Sequence, residues 1–239
     1  MPNPLILKLS RRDMLSEAEQ AVLEAAPFTV KSYAAGEEVV REGSVNDHSC
    51  VIVQGWASRT KQLRDGRRQI TAFQLTGDFV DLHSLLLKPM DHSIVAVTPC
   101  RLALVQHSVL RDISERHPHL TRMLWLDTLI DAAIHREWLV ALGRLPAAGR
   151  LAHLLCELYL RLEVVGEARD LSFQFPVTQP LLADALGLST VHVNRVVQEL
   201  RRENLVAWRG ARITLLDFDR LKEIAEFDPD YLNLRPEPR

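Results

Sequence analysis

The 239-residue chain has few cysteines, with only Cys50, Cys100 and Cys156, and few aromatics, at 6% of residues. Three thiols far apart, none in C-x-x-C spacing, exclude a disulfide framework and offer no zinc or redox pair. Each reads as a buried free thiol acting as a small hydrophobe. No apolar run approaches the roughly 18 residues of a transmembrane helix, so no membrane partner is expected. The opening Met1-Pro2-Asn3-Pro4-Leu5-Ile6-Leu7-Lys8 lacks a basic start followed by a long apolar core. No signal peptide is expected, and the cytoplasm is the expected location. Catalytic signatures are missing as well: no Ser nucleophile elbow, no H-E-x-x-H and no Gly-rich phosphate loop, so the chain is not expected to be an enzyme. His117-Pro118-His119 has no third ligand nearby in sequence, and no metal centre is assigned. An excess of one charge is absent too, at net −2. That leaves nucleic-acid binding open, because local charge governs it.

An apolar content of 47% is enough for a sizeable core. From about 28 to 108, short apolar runs such as Cys50-Val51-Ile52-Val53 and Ile94-Val95-Ala96-Val97 alternate with turn signals at Gly36, Gly43, Gly55, Asp65-Gly66 and Gly77-Asp78. This punctuation predicts a β-roll, barrel or sandwich. Arg64-Asp65-Gly66-Arg67 reads as a hairpin tip. After a short helix ending before Pro118, a long helix is predicted to about Leu142, with Pro in its first turn. Met123, Leu126, Ile130, Ala133 and Val140 follow a 3-4 spacing on it, interrupted by Glu137, and are the expected seam of a two-helix dimer. Leu151, Leu154, Leu155, Leu158 and Leu162 mark another amphipathic helix. The tail Leu234-Arg235-Pro236-Glu237-Pro238-Arg239 reads as loose.

The strongest signal runs from Thr178 to Val197. Thr178 is a candidate cap and Pro180 fits a first helical turn. Gly187 sits where the chain must turn sharply, and Ser189 or Thr190 can cap the next helix. Leu182, Ala183 and Leu186 on the first helix, and Val193, Val196 and Val197 on the second, supply facing apolar sides, as a helix-turn-helix requires. The outward face of the second is then Thr190, Val191, His192, Asn194, Arg195 and Gln198, residue types that read a DNA major groove. Arg195 is the best single base reader, since arginine bridges guanine O6 and N7. Leu205–Trp208 and Ile213–Leu216 read as strands around a tight turn at Arg209-Gly210-Ala211-Arg212, a wing whose arginines would face phosphates. The stretch from Arg195 to Arg212 carries Arg195, Arg201, Arg202, Arg209 and Arg212 against Glu199 and Glu203, so it is locally basic.

With these residues in order, the chain resembles the Crp/Fnr family of bacterial regulators. The matching pieces are Gly36-Glu37, Arg41-Glu42-Gly43, Gly55, Gly77-Asp78-Phe79, Thr98-Pro99-Cys100 and Leu186-Gly187-Leu188-Ser189. The resemblance implies an α+β architecture: a β-roll sensor domain (double-stranded β-helix or jelly-roll-like) over 1–116, a dimerisation helix over 117–143, a winged helix-turn-helix over 144–222 and a tail over 223–239. It further implies a homodimer on a palindromic double-stranded DNA site and, in activators, contact with RNA polymerase. Relatives that bind cyclic AMP hold its ribose and phosphate with Glu and Arg after the Gly-Asp-Phe turn. Here Leu82 and Met90 fall at those places, with Asp91 beside, so cyclic AMP is not the expected effector. Oxygen-sensing relatives carry N-terminal cysteines for an iron–sulfur cluster. Residues 1–49 have none, so that cluster is not expected and no cofactor is assigned. Haem-binding relatives use a sensor-domain His, for which His83 and His92 are candidates. Asp81, His83, Asp91, His92, Asp127 and Asp131, with His135, are candidates to line an effector pocket or a metal site. Where relatives have Glu in the recognition helix this chain has Val191, which removes an acceptor for cytosine N4 and implies a different half-site. The alternative is a small-ligand or haem sensor whose output is not direct DNA binding.

Overall fold

The computed structural model describes residues 3–239. In chain order the elements are α1 (Pro4–Ser10), α2 (Glu17–Ala25), β1 (Phe28–Tyr33), β2 (Glu38–Val40), β3 (His48–Gln54), β4 (Ala57–Gln62), β5 (Arg68–Gln74), a 3-10 turn (Leu82–Leu85), β6 (Ser93–Ala96) and β7 (Cys100–Gln106). They continue with α3 (His107–Arg116), α4 (Pro118–Arg144), α5 (Ala147–Val164), β8 (Ala168–Arg169), β9 (Ser172–Gln174), α6 (Gln179–Leu186), α7 (Thr190–Arg202), β10 (Val206–Arg209), β11 (Arg212–Leu215), α8 (Phe218–Ala225) and a final 3-10 turn (Pro229–Leu232). No helix among the described residues is long and apolar enough to cross a membrane.

The chain forms two compact units. The first comprises the chain up to Lys61, Phe73–Ala132 and Asn233–Arg239; the second comprises Gln62–Ala72 and Ala133–Leu232. The division therefore falls inside α4, and the β4–β5 hairpin tip groups with the second unit.

The first unit is built on antiparallel strands. A three-stranded sheet has the order β1-β7-β3, with β1 in register from Phe28↔Val105 to Tyr33↔Cys100, and a four-stranded sheet has the order β2-β6-β4-β5. Tyr33, Ile52, Ile94 and Leu102 join one core drawn from both sheets. Gly55, between β3 and β4, has a φ of +97°, and a Cβ there would lie 2.6 Å from the Pro99 carbonyl oxygen. Only glycine fits that turn. A second core gathers Leu5 and Leu9 of α1, Leu23 of α2, Leu110 and Ile113 of α3, and Leu120 and Met123 of α4. The two N-terminal helices were not expected, yet their starts carry local signals. Asn3 accepts from the Leu5 N–H and Pro4 opens the helix, while Ser16 and Glu19 form a reciprocal capping box. The C-terminal tail is not loose: the Arg239 N–H donates to Asp13 at 2.6 Å and the Glu237 N–H to the Arg12 carbonyl at 2.9 Å.

In the second unit, α5 is almost wholly buried, and α8 packs on it. Glu157 of α5 has no solvent exposure. It is held by Trp138 Nε1 at 3.1 Å, the Tyr231 hydroxyl at 2.9 Å and the Arg161 guanidinium at 2.9 Å. A buried carboxylate is tolerated where several donors replace its lost water. The remaining sheet has the order β10-β11-β9-β8, with Trp208↔Ile213 and Arg209↔Arg212 in register across the wing.

Candidate functional site

The helix-turn-helix forms at the expected place. Gly187 ends α6 in the left-handed region at φ +63°, its N–H bonded to the Ala183 carbonyl, and the Leu188 N–H reaches the same carbonyl at 3.1 Å. This is the glycine C-cap that satisfies the last carbonyls of a helix while reversing the chain. Ser189 caps α7, its side chain accepting from the His192 N–H at 3.2 Å. Val193, Val196, Val197 and Leu200 point into the unit's core. Thr190, Val191, Asn194, Arg195 and Gln198 are exposed, and His192 is half-buried. Val191 is 80% exposed, high for an apolar side chain. Asn194 accepts from Gln179 Nε2 at 3.3 Å, which ties the starts of the two helices together through a residue not singled out in the sequence. Thr178 does not cap as expected. It occupies the position before α6, but its side chain makes no cap bond and is exposed.

Arg209 and Arg212 flank the wing tip, both exposed. Arg201 and Arg202 close α7, also exposed. Two contacts in this unit had no sequence signal. Arg68 of the β4–β5 hairpin donates to Asp184 of α6 through two nitrogens, at 2.9 and 2.6 Å, and the Gln69 amide donates to the Ala185 carbonyl at 3.3 Å.

Most of the expected α4 seam is covered within this chain. Met123 and Ile130, at 0% and 4% exposure, are buried within this chain, and Leu126 and Ala133 are half-buried. Of the five residues named, only Val140 is exposed. The outward apolar side chains are instead Trp125 (66% exposed), Leu129 (51%), Leu139 and Val140. The physical reason is that α4 is apolar on more than one face. Its 3-4 spacing recurs both on the face that packs into this chain and on the one that does not.

The expected effector residues divide into three groups. Asp127 and Asp131 are held by cations: Lys8 lies 2.7 Å from Asp127 and 2.8 Å from Asp78, and Arg59 lies 2.9 Å from Asp131. Asp81 is fully buried. One carboxylate oxygen accepts from the Cys50 N–H at 2.6 Å, and burial pushes its pKa up to about 7. Only His83, Asp91 and His92 come together, with ligand-type atoms all within 4.8 Å of one another. Burial, aided by the Arg59 charge, lowers the His92 pKa to about 4 against the pull of Asp91, so its ring is neutral at pH 7. Met90, at the place where relatives hold a phosphate with Arg, is buried in the sheet core, and Leu82 packs against the helical core. His135 is half-buried on α4, outside that three-residue cluster. The three thiols are buried, and burial raises the pKa of each, to about 12 at Cys156, so none holds appreciable thiolate.

Comparison with known proteins places both regions. Residues 149–224 match the Crp-like helix-turn-helix domain, and residues 30–117 match the cyclic nucleotide-binding domain. The transcriptional activator protein FnrL of Cereibacter sphaeroides is 31% identical over 89% of this chain and 86% of its own length. The nitrogen fixation regulation protein FixK of Rhizobium meliloti is 30% identical over 79% of this chain and 82% of its own. Among solved structures, FixK2 from Bradyrhizobium japonicum superposes with a TM-score of 0.74 at 27% identity, covering 83% of this chain and 97% of that one.

Proposed function

The chain belongs to the Crp/Fnr family and is a DNA-binding transcription regulator of that type, and on this premise we propose that it acts as a homodimer on an inverted-repeat site, with α7 of each subunit in the major groove. The observation that carries the reading is the exposed face of α7 beside an arginine-tipped wing. Arg195 reads guanine, Val191 meets a thymine methyl, and Thr190, His192, Asn194 and Gln198 complete the base-facing set. Thr178, Ser189, Arg209 and Arg212 hold the backbone phosphates, fixing position rather than sequence. Pairing of subunits runs along the outward face of α4, through Trp125, Leu129, Leu139 and Val140. At 3.6 residues per turn these four positions fall within about 100° of one another around the helix, so they share one face.

The sensor domain of this proposal takes an effector other than cyclic AMP, because Met90 offers no charge-assisted partner for a cyclic phosphate. No catalytic role is proposed, in keeping with relatives that are transcription regulators. The protein works in the cytoplasm, and contact with RNA polymerase joins the proposal from the relative named as an activator.

The test is a mobility-shift assay with sedimentation velocity on the wild type and Leu129→Glu. The wild type is expected to sediment as a dimer and to retard duplex at low salt. The variant buries an unpaired carboxylate twice across the pairing axis, at about 3–5 kcal/mol for each such charge, and should sediment as a monomer with correspondingly weaker retardation. A wild type that is monomeric and retards no duplex contradicts the reading.

A further inference from the structure

We propose that His83, Asp91 and His92 form a binding site for a divalent first-row transition-metal cation. His83 lies on the 3-10 turn Leu82–Leu85, and Asp91 and His92 directly precede β6. The two imidazole rings stand 5.2 Å apart, tilted by 46°. Asp91 Oδ1 lies 2.6 Å from His92 Nδ1. A carboxylate can only accept, so this bond fixes the proton on Nδ1 and leaves the lone pair on Nε2. That Nε2 is buried and finds no hydrogen-bond partner among the described residues, on a side chain only 7% exposed.

An imidazole held by a carboxylate at one nitrogen and open at the other is the arrangement that metal-bound histidines adopt. Imidazole and carboxylate together suit zinc, cobalt, nickel, iron and manganese rather than calcium or magnesium. Ligands about 2.0–2.1 Å from a shared ion stand no more than about 4.2 Å apart. The cluster, at up to 4.8 Å, needs only a modest contraction. The Asp91 side chain is largely exposed and has room to shift while one carboxylate oxygen stays on His92 Nδ1.

Nearby cations do not forbid the ion. Arg59 is paired with Asp131, and Lys61, which also donates to the Asp91 carbonyl, is paired with Glu42. Two or three protein ligands leave open positions for water or a small anion. Binding would staple the 3-10 turn to β6 across the exposed loop that carries Leu86 and Leu87.

The experiment is calorimetric titration of the full-length protein with Zn²⁺ alone, with Co²⁺ visible absorption as a second readout of the ligand set. It uses no DNA, so its failure leaves the regulator reading untouched, and failure of that reading leaves this one standing. One Zn²⁺ per chain is expected. His83→Gln and His92→Gln should each weaken binding at least tenfold. Asp91→Asn, which removes the orienting carboxylate, should weaken it by about 10–100-fold and change the Co²⁺ spectrum. Should buried His92→Gln fail to fold, the more exposed His83 and Asp91 variants decide, with melting temperature checked for each. His119→Gln serves as the control, since His119 also sits between carboxylates, Glu19 at 2.6 Å and Asp13 at 3.1 Å. No Zn²⁺ bound by the wild type, unchanged affinity in the His83 and Asp91 variants, or loss only in the His119 variant would each overturn the proposal.

Discussion

The charges of the first unit's interior and those on the helix-turn-helix and wing of the second are treated in opposite ways. In the first, Lys8, Arg59, Asp78, Asp81 and Asp127 are withdrawn from water, and all but Asp81 are matched by an opposite charge within the unit. In the second, Arg195, Arg201, Arg202, Arg209 and Arg212 stand exposed on one helix and one hairpin. Charge withdrawn from solvent shapes an interior and makes a site selective, because every unpaired group there is costly. Charge left in solvent contributes little to folding and remains free for a polyanion. The same residue types are thus engaged in the interior of one unit and left available for the proposed DNA contact on the surface of the other, and substitutions should separate the two uses.

The largest effect on stability is expected from Lys8→Met. It strands Asp78 and Asp127 without their shared cation and should cost about 3–5 kcal/mol, read as a lower urea midpoint. Arg195→Ala is its mirror image. Its stability should stay within about 0.5 kcal/mol of wild type, while selective DNA binding falls by about 1–3 kcal/mol for each half-site read, measured as the ratio of specific to random-duplex affinity. Equal stability losses in the two variants would erase the contrast. Arg209→Gln should weaken binding to all sequences alike and reduce the slope of log affinity against log salt by about one per subunit. An effect that depends on pH is expected from Asp81→Asn. Because burial raises the Asp81 pKa to about 7, the wild type loses stability as pH rises from about 4, the unfolded value, through 7. The amide cannot ionise and keeps its acceptor for the Cys50 N–H. Melting temperatures of variant and wild type should therefore be closest near pH 4, with the variant gaining steadily to pH 7 and holding its advantage above.

The same contrast explains what was legible in the sequence. The helix-turn-helix was readable because its determinants are local: a 3.6-residue apolar period, a glycine needing positive φ at 187, and a serine cap at 189. The β region was readable from its turn glycines, and Gly55 proves to be irreplaceable on steric grounds. Both N-terminal helices were missed despite the local signals Asn3-Pro4 and Ser16-x-x-Glu19, which lack a long apolar period behind them. Burial on α4 was hard to assign because periodicity reports that a face is apolar, not which neighbour covers it: Met123 and Ile130 are buried within this chain. The ion pairs between distant residues were least legible. Lys8 with Asp127, Arg59 with Asp131 and Arg68 with Asp184 join residues far apart in the chain, and spacing along the sequence says nothing of such pairs. The meeting of His83 with Asp91 and His92 likewise depends on how the intervening loop folds back.

The most direct measurement is selection of binding sites from a random duplex pool by the full-length wild-type protein, with Arg195→Ala selected in parallel. The account predicts an inverted repeat with half-site centres about one helical turn, or 10–10.5 base pairs, apart or a multiple of that, containing a guanine position whose enrichment disappears in the variant. A pool that gains no motif, or a motif recovered unchanged by Arg195→Ala, would contradict it.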